Sequence, residues 1–148
     1  MLGVDLGTKR VGVALSNPDR TVASPLQVIE RSGRLHRDLA DLVDEWECTA
    51  VVVGMPLSLD GSHGPAARKT KKEVEALGAT LRVPVETYDE RLTTISAERL
   101  MTEAGLDSRS QRQVVDKIAA SILLQAWLDR QANLHTDYTD QSDQSTPE

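Results

Sequence analysis

Asp5, Glu90 and Asp116 are three carboxylates set far apart in the chain, each beside residues that read as core. Asp5 ends an apolar strand, Glu90 ends a later one, and Asp116 opens the last long helix. No local run of charge accounts for them. Carboxylate oxygens are hard ligands suited to Mg²⁺ or Mn²⁺, and two such ions can activate a water and stabilise the leaving oxygen of a phosphodiester. The spacing points to metal-dependent phosphodiester hydrolysis, provided the fold brings the three acids together.

The segments around these acids supply further candidates. Asp5 is followed by Leu6-Gly7-Thr8-Lys9-Arg10. In that turn Gly7 lets the backbone approach a ligand and leaves amide N–H groups for a phosphate, with Lys9 and Arg10 as cations beside it. Taken alone, the segment reads equally well as a plain hairpin whose Asp bonds its own turn. Val51-Val52-Val53-Gly54-Met55-Pro56 runs a buried strand into a Gly/Pro loop. Ligands of open α/β sheets gather outside the carboxyl ends of strands, which makes Gly54 and Pro56 candidate substrate contacts.

Tyr88-Asp89-Glu90-Arg91 sets two acids side by side. Strand alternation sends them to opposite faces unless the strand has ended, so one of the two is the direct ligand. Arg91 either holds a phosphate or pairs with a carboxylate. Asp116 is followed by Ala119 and Ala120, small enough for the helix to approach a sheet closely. An acid there is also favoured simply by the helix N-terminus. The basic clusters Arg68-Lys69-Lys71-Lys72 and Arg31, Arg34, Arg37 could track a phosphate backbone, but read first as solvated helix faces.

The elements that must position these groups follow from pattern. Leu2 to Leu6 and Val11 to Ser16 form a hairpin, and Thr21 to Glu30 a third strand whose Pro25 predicts an edge position or a bulge. Leu35, Leu39, Leu42, Val43 and Trp46 recur at helical spacing from Arg34 to about Glu47. Ala50 to Val53 is a strand buried on both faces. A helix starts at Pro65 and stops at Gly78; Val83 to Glu90 is the next strand. Thr93 to Ala104 is helical, Ser108 to Arg112 is polar and mobile, and Val114 to Gln131 forms the last helix. The expected fold is α/β: a mixed sheet, antiparallel in its first three strands and parallel in the later ones, flanked by helices.

A chain of 148 residues is one domain, here 1–131, and the Thr-, Ser-, Asp- and Gln-rich stretch 132–148 reads as a disordered acidic tail. Without Phe, the core must be aliphatic. The lone Cys48 excludes an intramolecular disulfide and fits a reducing cytoplasm. No apolar run is long enough to span a membrane, and no signal-peptide pattern opens the chain. The net charge of −6 is concentrated late: four of the 23 acids follow Arg130, leaving 19 against all 17 bases. That balance neither excludes nor favours a phosphate-backbone ligand.

Four stretches together resemble the YqgF/RuvX family of Holliday-junction-resolvase-like proteins, also described as pre-16S rRNA nucleases. They are Asp5 to Ala14, Val52-Val53-Gly54-Met55-Pro56-Leu57 with Asp60-Gly61, Asp89-Glu90-Arg91-Leu92-Thr93-Thr94, and Asp116 with Ala119-Ala120 and Ile122-Leu123-Leu124-Gln125. The resemblance covers the body of the chain from Leu2 to about Arg130, and four such stretches in order make a specific signal. The resemblance implies an RNase H-like fold with a central five-stranded mixed sheet, and Asp5, Glu90 and Asp116 as catalytic metal ligands binding Mg²⁺ or Mn²⁺. It implies a nuclease acting on structured nucleic acid. Precursor ribosomal RNA is favoured, with trimming at the 5′ end of 16S rRNA, and a DNA junction is the alternative; the protein is then a monomer or a homodimer. The chain begins just ahead of its first strand, which suggests an N-terminal piece ahead of Met1 or an alternative start.

Two further readings compete. Asp5-Leu6-Gly7-Thr8 also resembles the phosphate-binding turn of sugar kinases and actin-like ATPases, but those need two lobes and this chain supplies one. The other is a non-catalytic RNA-binding factor in ribosome assembly that keeps the fold.

Overall fold

The computed structural model describes residues 1–57, 60–92 and 109–144. Five strands form one sheet: β1 (Leu2–Leu6), β2 (Arg10–Ser16), β3 (Ala23–Glu30), β4 (Val51–Met55) and β5 (Val85–Asp89), in the order β3-β2-β1-β4-β5. β1, β2 and β3 pair antiparallel, while β4 runs parallel to both β1 and β5. The short turns after β1 and β2 permit only antiparallel neighbours, and the helical connection between β4 and β5 permits a parallel pair. Three α-helices lie among the described residues: α1 (Leu35–Glu45), α2 (Pro65–Thr80) and α3 (Arg109–Gln144). A 3₁₀ turn, Glu90–Leu92, follows β5 directly.

Alternation along the strands splits the core in two. Leu2, Val4, Val11, Val13, Val51 and Val53 point to one face, where Leu35, Leu39, Leu42 and Val43 of α1 and Leu77 of α2 cover them. Ala14, Val52 and Tyr88 point to the other, against Ala119, Ala120, Leu123, Leu124 and Leu128 of α3. Gly3 belongs to this second face: a Cβ there would stand 2.7 Å from Leu124 Cβ, so the glycine sets how closely α3 lies. Tyr88 and Trp127 meet edge to face at 5.8 Å and fasten α3 across β5.

The mixed sheet and its flanking helices match expectation, and Pro25 lies on the edge strand β3, with a register shift opposite it at Val13/Ala14. Several boundaries differ for identifiable reasons. β3 starts at Ala23 rather than Thr21 because the Asn17 side chain accepts the Thr21 and Val22 N–H groups and holds them in a turn. β4 continues to Met55, since Gly54 and Met55 still pair with Tyr88 and Asp89. β5 spans Val85–Asp89 and so ends before Glu90. α2 passes through Gly78 to Thr80: an exposed helical glycine costs only about 1 kcal/mol, and buried Leu77 and Leu81 hold the last turn.

Trp46 lies just past the end of α1 and is exposed, not core. The last helix starts at Arg109, so the polar stretch expected to be mobile is its first turn from 109 onward. Arg and Gln need no apolar partner to be good helix formers. Val114 and Ile118, expected on its buried stripe, are exposed. The backbone remains helical past Gln131 to Gln144. The helix expected over 93–104 lies outside the described residues.

Candidate active site

Asp5 sits in β1 opposite Gly12 of β2, with its side chain on the α3 face of the sheet. α3 crosses over Gly12 so tightly that a Cβ there would lie 2.2 Å from the Asp116 carbonyl oxygen. Only glycine permits that crossing, and the crossing sets Asp116 beside Asp5. Both carboxylates are buried, at 5% and 7% exposure. Asp116 does not open its helix: α3 begins about two turns earlier, beyond the reach of the helix N-terminus. Its charge is met instead by Arg10, whose Nε donates to Asp116 Oδ2 at 2.7 Å.

Glu90 arrives from the other side. Because β5 stops at Asp89, Glu90 leads a 3₁₀ turn and folds back over Gly54 of β4. A Cβ at Gly54 would stand 2.5 Å from Glu90 Oε1 and 2.9 Å from its Cγ, so the missing side chain is the room Glu90 uses. Asp89 is otherwise engaged. Arg91 donates to it from Nε at 3.0 Å to both oxygens, from Nη2 at 2.6 Å and from the backbone N–H at 2.9 Å. The guanidinium holds the Asp89 carboxyl below the usual carboxylate range.

Asp5, Glu90 and Asp116 line one cavity of about 690 Å³ at the rim of the sheet, and Gly7, Lys9, Arg10, Gly54 and Pro56 line it too. Eight of the nine sequence-derived candidates thus share one wall system. The ninth, Arg91, is absent from the lining; it bridges Asp89 and lies against Gly61, whose φ of 87° requires glycine. Its positive charge also helps to hold the Asp60 carboxyl low, after the hydrogen bonds from Ser62.

One wall was only partly foreseen: Lys69 and Arg31 stood out in the sequence as members of basic clusters, Ala66, Thr70 and Glu73 did not. Ala66, Lys69, Thr70 and Glu73 form a single stripe of α2 that faces the cavity, and Arg31 joins them. Arg31 donates from Nη1 and Nη2 to the two Glu73 oxygens at 2.9 and 2.7 Å, and from Nε to the Gly7 carbonyl at 2.6 Å. Its backbone N–H reaches the Lys9 carbonyl, so the Gly7–Arg10 turn is clamped at two points. His36 Nε2 stands 3.3 Å from Glu73 Oε2. The Arg31 fork lowers the Glu73 carboxyl, and Glu73 in return raises Arg31. The spacing 66, 69, 70, 73 was the available signal, but it needed knowledge of which α2 face meets the sheet rim.

For a divalent ion the donor set fits in kind: three carboxylates, two of them buried, with Gly54 open under the third. Among the described residues no three acidic, His or Cys side chains stand close enough to enclose one ion as they are placed. No helix among the described residues is long and apolar enough to cross a membrane.

Residues 1–130 match the RuvX family, described as Holliday junction resolvase. Curated relatives bearing the name "Putative pre-16S rRNA nuclease" include one from Mycobacterium ulcerans (strain Agy99), 46% identical over 136 residues, covering 90% of this chain and 80% of that protein. Another, from Myxococcus xanthus (strain DK1622), is 42% identical over 140 residues, 93% of this chain and 92% of its own. Among solved structures, T. thermophilus RuvC in complex with a Holliday junction substrate superposes with a TM-score of 0.56 at 20% identity, over 89% of this chain and 96% of that one. That likeness is one of fold, RNase H-like with a mixed five-stranded sheet.

Proposed function

The chain belongs to the RuvX family, and on that premise we propose that it is a divalent-metal-dependent nuclease cutting phosphodiester bonds in structured nucleic acid. The observation that carries this reading is the convergence of Asp5, Glu90 and Asp116, from a strand, a turn and a helix, on one cavity with cationic walls. These three would hold Mg²⁺ or Mn²⁺, which when bound supplies Lewis acidity at the phosphoryl oxygen and a water of lowered pKa. The chain's own groups do the rest. Lys9 presents a cation at the cavity mouth, and the clamped Gly7–Arg10 turn fixes where a backbone phosphate would lie. Arg10 orients the Asp116 carboxylate through its Nε. Gly54 and Pro56 shape the opposite wall, and Arg91 acts at one remove by engaging Asp89, which leaves Glu90 as the ligand of the two.

The favoured substrate is precursor ribosomal RNA in the cytoplasm, cut toward the 5′ end of 16S rRNA; the relatives' printed names support it. The family's own description favours a second reading, cleavage of a four-way DNA junction, which needs a homodimer because two strands are cut. One assay separates them. Purified protein is offered a short ribosomal RNA precursor and a four-way DNA junction with Mn²⁺, Mg²⁺ or EDTA, and Asp5→Asn runs beside it. We expect metal-dependent cutting of the RNA, reduced at least about a hundredfold in the variant. Cutting of the junction alone selects the second reading. Binding of RNA without cutting of either, by folded protein, replaces both with a non-catalytic assembly factor.

A further inference from the structure

Thr70 is nine-tenths buried in the cavity wall, and among the described residues its hydroxyl has no hydrogen-bond partner. Buried hydroxyls are nearly always paired, so an orphan facing a cavity marks a place where a ligand supplies the missing partner. The surroundings state which ligand. Lys69, the next residue, and Lys9, on the turn, line the same cavity, and among the described residues neither is engaged in an ion pair. Glu73 is the acid on this wall, one turn further along α2, and its charge is met by the bidentate fork of Arg31. An anion would therefore encounter two available ammonium groups and a hydroxyl donor, with the neighbouring carboxylate already neutralised. The three candidate ligand carboxylates line the same cavity from other elements: β1, the turn after β5, and α3.

The geometry points to a second phosphate subsite on α2, in which Thr70 Oγ1 donates to, and Lys69 and Lys9 hold, a backbone phosphate next to the one being cut. It rests on the nuclease reading above and deepens it by giving the substrate strand a second anchor. The ligand is a phosphodiester of a nucleic-acid strand, so the contact carries no base preference and serves RNA and DNA alike.

The test is binding, read by fluorescence anisotropy with the labelled RNA precursor and the labelled DNA junction, in EDTA and in Mn²⁺, over a series of salt concentrations. Thr70→Val keeps the shape and removes the donor; Thr70→Ser keeps the donor; Lys69→Met removes a cation. Thr70→Val is expected to weaken binding about three- to tenfold with an unchanged or higher Tm, since no internal hydrogen bond is lost. Thr70→Ser should restore most of the affinity. Lys69→Met should weaken binding about fivefold and reduce the slope of log K against log salt by about 0.7 to 0.9, one phosphate contact. Wild-type binding that neither Thr70→Val nor Lys69→Met alters overturns the subsite and leaves the nuclease reading standing. A Thr70→Val protein with lowered Tm and wild-type affinity overturns it as well, because the hydroxyl is then structural. Wild-type protein that binds neither nucleic acid in either buffer overturns the nuclease reading and the subsite with it.

Discussion

Replacing Gly54 by alanine would set a methyl group against Glu90, 2.5 Å from Oε1 and 2.9 Å from Cγ. Glu90 can swing away into solvent, so the damage falls on the site and not on the fold. Cleavage by Gly54→Ala should drop about a hundredfold, the usual cost of misplacing a reacting group by about 1 Å. Its Tm should stay within a few degrees of wild type. A variant with wild-type turnover would show that Glu90 needs no such room and that its role is misassigned. At this scale the three acids that share the cavity were legible because each interrupts residues that otherwise read as core. Which of Asp89 and Glu90 lines the cavity was not, because it depends on where β5 ends and on Arg91 closing over Asp89. Thr70 and Glu73 were hidden for another reason: they are ordinary residues until a particular face of α2 is turned to the rim.

α3 binds the site to the sheet, and at Gly12 its backbone presses directly on β2. A Cβ at position 12 would lie 2.2 Å from the Asp116 carbonyl oxygen and 2.7 Å from its carbon, both backbone atoms that cannot rotate aside. Gly12→Ala should therefore lift α3 from β2, at a cost of about 3 kcal/mol or more in denaturant unfolding, and should abolish cleavage together with stability. An alanine variant with wild-type stability would mean that α3 crosses at a different height. The elements themselves were readable from periodicity, because Leu39, Leu42, Val51 to Val53 and Leu123 repeat at the spacing of the structures they form. Their ends were less readable. Asn17 delays β3 by a side-chain turn, and Gly78 is tolerated inside α2 because leucines anchor the turn around it. The start of α3 rests on backbone propensity that no apolar pattern reports.

Taken as a whole, the molecule joins its β1–β2 turn to α2 through one half-buried cluster, Arg31, Glu73 and His36. Glu73 is depressed below its ordinary value, so its contribution is fully present above the unfolded value of about 4.3 and fades as pH falls through it toward the lower folded value. Urea unfolding from pH 7 down to pH 3 should show that loss in the wild type. Glu73→Gln should be less stable by about 2 kcal/mol at pH 7 and show a shallower acid decline. Parallel pH curves for the two proteins would show that the fork contributes nothing to the whole. The order of assembly has a different consequence. The three acids come from positions 5, 90 and 116, and β1, at the centre of the sheet, is the first strand to be synthesised. A chain still growing on the ribosome, or cut short before α3, carries Asp5 without Asp116. On the proposal that these three acids form the cutting centre, that centre is withheld from the nascent polypeptide until nearly all of it has emerged, and an unfinished copy would be unable to attack the nucleic acid around it.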